Sequence, residues 1–537
     1  MPLPLGKMNW PPSHEARRYD RMHVSATWYA GDPRDLAALY GGDVPRTERT
    51  RESKRLLNRV YDWYWGQNDP AELDDKMHLP VAQDIAQMSS ELLFAASPQF
   101  VVQPIVFDTE GKVPPEHALV VAATQRRLDK ILRNCKMDAL LPAAAETCAA
   151  LGSVALRIGY DAATMSMPVV SRVDGDAILP EYSFGQLTAL TFWRVVGADE
   201  DTIWRHLERH EAGRVLHGLY RGTGTNLGEK VALDQRVETA WLADAVDAEG
   251  ALTLVDKRMS AAAIPNVLPD PLDRGSFAGR SDYSPGVLTV FDAIDKAMTS
   301  WMRDLDDGRS RLLVADYMLE SKGSGSGVGF DSAQHLFTKL KMQPGDKGDP
   351  PIDQVQFAIR VDEHMRTVDY LLGQAVKLCG YNTESEIGAN AGDMTATEYM
   401  GRARRSMNTR AKKLRYWQEI ETLVETLLYV DADVFESQVV PLPVRMEVPP
   451  PVQTSAKMLA ETVEIVARAK AASIEVMVRM LHPDWDDQTV DEEVVRIRDE
   501  QSLADPNASI GSAVAGDMLP VEDVRDATDT AAADLVP

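Results

Sequence analysis

Apolar positions recur at two different periods along this chain, and the change of period divides it. In HLPVAQDIAQMSSELLFAA (78–96), Ile85, Met88, Leu92 and Leu93 mark one buried helix face, and Pro98 stops the helix. QFVVQPIVF then reads as a strand. Residues 116–150 read as two further helices parted near Asn134, and residues 47–66 as a helix ending in Tyr61, Trp63, Tyr64 and Trp65. From Leu151 to about Leu254 the pattern shortens. SVALRIGYD, MPVVSRV, AILPEY, ALTFWRVV, TIWRHLERHE, RVLHGLYRG and TLVD are short β-rich runs between Gly and Asp turns. They predict a largely antiparallel region inside an α+β, mainly α chain. The regular strand–helix alternation of a doubly wound sheet is missing.

Helical periodicity returns after an irregular connector, 259–284, with Pro265, Pro269 and Pro271. A helix starts near Pro285 and runs through TVFDAIDKAMTSWMRDLDDGRSRLLVAD. An insert follows, with GSGSGVG, a short helix around SAQHLFTKLK, and QPGDKGDPP. The most informative stretch comes next: an amphipathic helix over Gln356–Cys379, a glycine-bearing break over Gly380–Met394, and a helix over Thr395–Tyr429. The last would span about 50 Å at 1.5 Å per residue, the length of a strut in an assembly. Thr395 or Thr397 can cap it, and Glu398 suits its positive end. Its apolar stripe is Met400, Ala403, Met407, Ala411, Leu414, Trp417, Ile420, Val424, Leu427 and Leu428. Its middle is basic: Arg402, Arg404, Arg405, Arg410, Lys412, Lys413 and Arg415. Mixed charge faces of this kind commonly pair with acidic neighbours or adjacent subunits; contact with phosphates is the alternative. Residues 439–448 read as a strand, PPPVQTS as a stiff link and N-cap, and 455–503 as two or three helices around an HPDWDD turn. Residues 1–45, with Trp10, Trp28 and Tyr29, read as a docking arm. The Ala/Asp/Ser-rich end after Ala504 reads as disordered.

Composition narrows the function. The 537 residues are 44% hydrophobic and carry a formal charge of −25, with pI about 4.9. A protein that grips nucleic acid statically is expected to be basic, since it neutralises phosphates; this one repels DNA over most of its surface. Cys135, Cys148 and Cys379 are odd in number and far apart, which suits a reducing compartment rather than a disulfide framework. MPLPLGKMNWPP lacks the pattern of a signal peptide, and no apolar run is long enough for a membrane span.

Candidate chemistry is thin. GTGTNLG (222–228) and GSGSGVG (323–329) lack the spacing and context of a phosphate loop and read as turns or hairpin tips. His206 and His210 in HLERH bracket Glu208, whereas the metalloprotease order puts Glu directly after the first His. They read as surface histidines. Asp304, Asp306 and Asp307 have carboxylates that suit Mg²⁺ or Ca²⁺, but Arg303, Arg309 and Arg311 among them read as a solvated or subunit-facing surface. Neither an enzyme nor a cofactor is expected. A metal-dependent hydrolase built on HLERH or the Asp304 cluster is a competing reading.

With these residues in view, the chain resembles the phage portal proteins, in the branch found in siphophages of Gram-positive and particularly actinobacterial hosts. HLPVAQDIAQMSSELLFAASPQF is similar to that family's early helix. ALGSVALRIGYD with WRHLERHEAGRVLHGLYRGTGTNLG is similar to its β-rich middle, and GRSDYSPGVLTVFDAIDKAMTSWMRDLDDGRSRLLV to its first stem helix. QFAIRVDEHMRTVDYLLGQAVKLCGYN and TATEYMGRARRSMNTRAKKLRYW resemble the helices around its tunnel loop; LHPDWDDQTVDEEVVRIRDEQ is also typical. The resemblance covers residues 75–503. It implies an N-terminal arm (1–45), a wing (46–284), stem helices (285–313 and 356–379), a clip (314–355) and a tunnel loop (380–394). A long helix returning to the wing (395–450), a crown (451–503) and a tail (504–537) complete it. It also implies a ring, usually of twelve subunits, at one capsid vertex. DNA is packaged through that ring by the terminase large subunit and later ejected through it. The head–tail adaptor, the major capsid and scaffold proteins, and double-stranded DNA read without sequence specificity are the implied partners. The implied location is the virion, and the host cytoplasm during assembly. On this resemblance, Thr383, Glu384, Ser385, Glu386, Gly388, Asn390, Gly392 and Asp393 of the loop face DNA. Lys322, Lys339, Lys341 and Lys347 of the clip touch DNA or the docking partners. Arg402, Arg404, Arg405, Arg410, Lys412 and Lys413 brace neighbouring subunits.

Overall fold

The computed structural model describes residues 3–41, 77–307 (apart from 110, 162–163, 200, 255 and 284), 311–314, 320–321, 328–329, 352–355, 360–382, 403–449, 456–469 and 471–504 (apart from 483, 484 and 486). The fold is mixed α+β and mainly helical. It divides into two compact units, residues 1–451 and 452–537.

The first unit opens with an extended arm, then α1 (Ala16–Ala30) and α2 (Pro33–Gly41). α3 (Val81–Phe94), β1 (Gln99–Val102), α4 (Pro115–Asn134) and α5 (Met137–Leu151) follow, α4 and α5 parting where the sequence predicts. α4 begins with Pro at its first position, where a missing N–H costs nothing. Then come β2 (Ser153–Gly159), β3 (Val169–Asp174), β4 (Ile178–Ser183), β5 (Gln186–Asp199), β6 (Thr202–Glu211), β7 (Arg214–Gly222), β8 (Glu229–Val231), α6 (Val237–Ala243), β9 (Ala251–Thr253) and β10 (Ala261–Pro265). β4-β5-β6-β7-β8 form one antiparallel sheet, with β9 also on β7; β10-β2-β3 form a second. β10 corrects the reading of 259–284 as wholly irregular. Its alanines have weak strand propensity, yet Ala261–Pro265 pair in register with Arg157–Ser153.

Next come α7 (Pro285–Asp307), β11 (Arg311–Val314), β12 (Glu320–Ser321), β13 (Val328–Gly329), β14 (Ile352–Val355) and α8 (Val361–Cys379). α7 stops at Asp307, and 311–314 pairs antiparallel with 352–355, so the helix expected to run through Asp316 does not extend over Arg311–Val314. β12 and β13 pair across the GSGSGVG segment, as a hairpin tip requires. α9 (Arg404–Trp417), α10 (Glu419–Val434) and β15 (Val444–Glu447) complete the unit. The long helix expected over Thr395–Tyr429 is thus interrupted at Gln418 and runs on to Val434. Its expected caps, Thr395 and Thr397, lie outside the described residues, as does the expected helix at 47–66.

The largest core packs α4, α5, β2 and β10 around α10. Leu128, Ile131, Leu141, Val154, Leu156, Ile264, Trp417, Ile420, Val424 and Leu427 are all buried there. A second core gathers Trp28, Ile85, Phe291, Ile294, Ala375 and Tyr381 from α1, α3, α7 and the end of α8. The arm finds its dock on its own sheet. Lys7 N–H donates to the Gly228 carbonyl (2.6 Å), Leu227 N–H to Met8 (2.9 Å), and Trp10 N–H to Thr225 (3.0 Å), while Leu3 and Trp10 bury against Leu207, Leu216 and Tyr220. GTGTNLG is the turn that receives it. Gly228 has φ +78°, and a Cβ there would fall 1.9 Å from the Arg221 carbonyl oxygen.

The second unit is a helical group: α11 (Ala456–Arg468), α12 (Ile474–Leu481) and α13 (Asp487–Ala504). Val478, Val490 and Val494 form its centre, and Ser473 caps α12 by accepting from Val476 N–H. Among the described residues, no helix is long and apolar enough to cross a membrane.

Candidate functional site

The segment 383–402 leaves α8 and returns to α9, and its two ends are fastened together. α8 ends in a Schellman motif: Gly380 takes φ +95°, its N–H donates to Lys377 O (3.0 Å), and Tyr381 N–H donates to Val376 O (3.1 Å). A Cβ at Gly380 would sit 3.0 Å from the Thr409 hydroxyl, which itself donates to the Gly380 carbonyl (2.6 Å). Two residues after Gly380, Asn382 and Ser406 bond reciprocally. Asn382 N–H donates to Ser406 Oγ (2.9 Å), and Ser406 N–H to Asn382 Oδ1 (3.0 Å).

Beneath this clasp lies a buried ion pair. Lys413, on α9, is 1% exposed. Its three N–H bonds are all used: to Asp282 Oδ2 (2.7 Å), Tyr381 Oη (2.8 Å) and Ser89 Oγ (2.8 Å). Asp282 also accepts from Tyr381 Oη (2.8 Å) and from Asn266 Nδ2 (2.8 Å). Burial, and then the Asp282 carboxylate, push the Tyr381 phenol well above its ordinary range, so it stays protonated and donating. Ser89 comes from α3, Asp282 from the approach to α7, Tyr381 from the end of α8 and Lys413 from α9. A single ammonium therefore ties four segments at the root of the loop. Arg410 adds a fifth attachment, donating to Leu92 O (2.8 Å) and Pro449 O (2.6 Å).

This corrects the expected basic band. Lys413 and Arg410 brace their own chain, because burial leaves an ammonium or guanidinium stable only beside its partners. Arg404, Arg405 and Lys412 are exposed and form no ion pair among the described residues. Arg402 lies outside those residues. So do the loop candidates Thr383, Glu384, Ser385, Glu386, Gly388, Asn390, Gly392 and Asp393, and the insert candidates Lys322, Lys339, Lys341 and Lys347. Sequence reading missed Ser89, Asn266, Asp282, Tyr381, Asn382 and Ser406. The available signal was Ser89 on the apolar face of α3, and a Gly-Tyr-Asn ending after α8 with a large aromatic on a polar loop.

The insert has a comparable root. β11 and β14 form a two-stranded neck with Arg311 opposite Val355 and Val314 opposite Ile352. Below it, Asp304 on α7 accepts from Arg360 Nη2 (2.8 Å) and His364 Nε2 (2.8 Å), and Trp301 stacks on His364. These bonds, His364 first and then Arg360, hold the Asp304 carboxyl below its ordinary range. The expected solvated or subunit-facing role of Asp304 gives way to a bridge between helices of one chain.

His206 and His210 are not surface histidines either. In strand β6, residues 206, 208 and 210 share one face, and both imidazoles are buried. Among the described residues, no three His, Cys, Asp or Glu side chains are arranged to hold a metal ion. Cys148 and Cys379 are buried and Cys135 half-buried, all three as free thiols; burial raises the thiol pKa of each.

No protein family matches the chain, and no curated protein does either.

Proposed function

We propose that this chain is the portal subunit of a tailed phage. It would form a ring, of twelve copies by the family resemblance, that channels DNA through one capsid vertex during packaging and ejection. The observation that carries the reading is the clasp between the end of α8 and the start of α9: the Asn382–Ser406 exchange, anchored by Lys413. A long loop that must change shape while DNA passes needs a root that does not move. The order α7, two-stranded neck, α8, clasp, α9 supports assigning a stem, a clip and a tunnel loop. In this reading, the acidic, glycine-bearing residues 383–393 meet DNA without holding it, because each phosphate contact costs free energy to break. The insert would dock the terminase large subunit and then the head–tail adaptor. Capsid and scaffold proteins would surround the ring in the virion. Exposed Arg404, Arg405 and Lys412 remain for a neighbouring copy.

Negative-stain microscopy and native mass spectrometry of the purified chain test the proposal. Rings with an axial hole support it, and a compact monomer sinks it. A deletion of 385–392 should leave rings intact and impair DNA packaging or retention. Unimpaired packaging and infectivity would remove the role given to the loop. Rings that never associate with a terminase would favour another virion structural subunit.

A further inference from the structure

The face of β6 that carries His206, Glu208 and His210 opens on a cavity of about 520 Å³ closed by β2, β5, β7 and α6. Sheet interiors are ordinarily apolar, and every buried polar group must be compensated. Here charged and hydrogen-bonding side chains share the wall with Ile158, Val169, Val215, Leu242 and Leu252. His206 is 4% and His217 6% exposed, and their rings lie parallel, joined by a hydrogen bond between Nε2 and Nδ1 (3.2 Å). Arg157 of β2 and Arg194 of β5 flank them. Arg157 uses Nη1 on Glu208 and Nε on Ser171 Oγ (3.2 Å), its guanidinium lies over the Phe192 ring, and Nη2 bonds to none of the described residues. Arg194, exposed at the rim, has only a 3.5 Å contact with the Glu238 carbonyl. The buried Tyr160 hydroxyl on the same wall has no partner.

The wall carries two guanidiniums, Arg157 within and Arg194 at the rim, and two carboxylates, Glu208 within and Asp161 at the mouth, and both carboxylates are already bonded. Burial alone would raise the Glu208 pKa, but His210, bonded at 2.8 Å, and Arg157 hold it well below the carboxylate range. It is therefore ionised and already neutralised. His210 is further occupied by Ser260 Oγ (2.8 Å). Asp161, at the mouth, is bonded to the Thr164 hydroxyl (2.6 Å). Asp433 acts on Tyr160 from farther off, and α6 contributes only Trp241 and Leu242 to the wall. Donors without acceptors therefore outnumber acceptors without donors.

We infer that this cavity is a binding site for a small oxyanion of the phosphate or sulfate type, held by Arg157, Arg194, Tyr160 and the His206–His217 pair. The site lies in the sheet region and does not depend on the portal reading. Burial, and then mutual repulsion with the second ring, hold His206 near about 3; burial holds His217 near about 4. The empty pair is therefore neutral at pH 7. An anion seated beside it supplies the missing counter-charge, so binding takes up a proton. The guest is a free ion rather than a polymer's phosphate, because the imidazoles are buried behind the rim.

Sulfate is the decisive probe, since its charge does not change between pH 8 and 6. Titration calorimetry on the whole chain should show saturable binding that tightens as the pH falls from 8 to 6, because the bound state takes up a proton. Buffers of different ionisation enthalpy should report that proton. Arg194→Gln, at an exposed position, should weaken binding at least tenfold without moving the melting temperature of the anion-free protein; His217→Gln should flatten the pH slope. Inorganic phosphate should compete, and a 20-base-pair duplex should not. Absence of saturation at 20 mM sulfate, or binding unchanged in Arg194→Gln, would overturn the inference. So would a density map of the assembly with a carboxylate from a second copy in the cavity. Ring formation is scored separately, so neither result decides the other.

Discussion

Replacing Lys413 by Met tests whether the root of the loop is held by charge. The side chains have similar length, so packing is largely preserved and the ammonium alone is lost. In the native chain, Lys413 Nζ has three acceptors at 2.7–2.8 Å, and Asp282 is itself buried. Without the ammonium, Asp282 keeps Asn266 and Tyr381 as donors and has no counter-ion. Removing one member of a buried pair costs about 3–5 kcal/mol, most of it the penalty on the charge left behind. The first compact unit has roughly 450 residues. At about 2.1 cal/mol/K per residue, its unfolding entropy is near 0.9 kcal/mol/K, so the melting temperature should fall by about 3–5 °C. Calorimetry at pH 7 with urea midpoints measures this. Adding Asp282→Asn should recover at least half of the loss, because the amide still bonds and carries no charge. Limited proteolysis within 383–402 should accelerate in the single variant and return toward wild type in the double. A Lys413→Met protein within about 1 kcal/mol of wild type, or one that Asp282→Asn makes worse, would refute the idea that charge holds the root.

Three further outcomes are expected. Asn382→Ala and Ser406→Ala should each cost about 1–2 kcal/mol by urea denaturation, and the double variant should cost clearly less than their sum, because both remove the same exchange. Gly228→Ala should cost more than about 1 kcal/mol and free residues 3–10 from the sheet, read as faster cleavage of the arm, since the alanine Cβ would overlap the Arg221 carbonyl. Stability should be greatest above pH 6.5 and fall as pH drops toward 4. His206 and His217 bind protons more readily unfolded, where their pKa is near 6.5, than folded, where it is about 3 and about 4. The first proton alone is worth about 3 kcal/mol. His217→Gln should flatten that limb, and an unchanged acid limb would count against a neutral pair.

Much of the scaffold was legible because its signals are local. The gap between α4 and α5, the β-rich run from Ser153 and the boundary near Pro451 follow from periodicity, Gly and Pro. What escaped depends on distant partners. Lys413 reads as part of a polar stripe until Asp282, 131 residues away, is placed beside it. Ala261–Pro265 reads as a connector until β2 offers it a ladder. HLERH changes meaning with the period applied to it. As a helix it would set two histidines four apart, whereas as a strand it puts both and Glu208 on one wall of a cavity. The break at Gln418 has no local breaker residue, and its neighbours Trp417 and Ile420 are fixed by the tertiary core.

The neck has a consequence for how such a chain can diversify. Val314 and Ile352 lie opposite each other in an antiparallel ladder, so the chain that joins them is closed across about 5 Å. Doubling the length of a segment closed in this way costs only about 0.6 kcal/mol in closure entropy. The segment can thus lengthen, shrink or be exchanged between lineages without retuning the helices below it. That end of the molecule can evolve as a cassette, while the clasp between α8 and α9 and its buried lysine stay under a separate constraint.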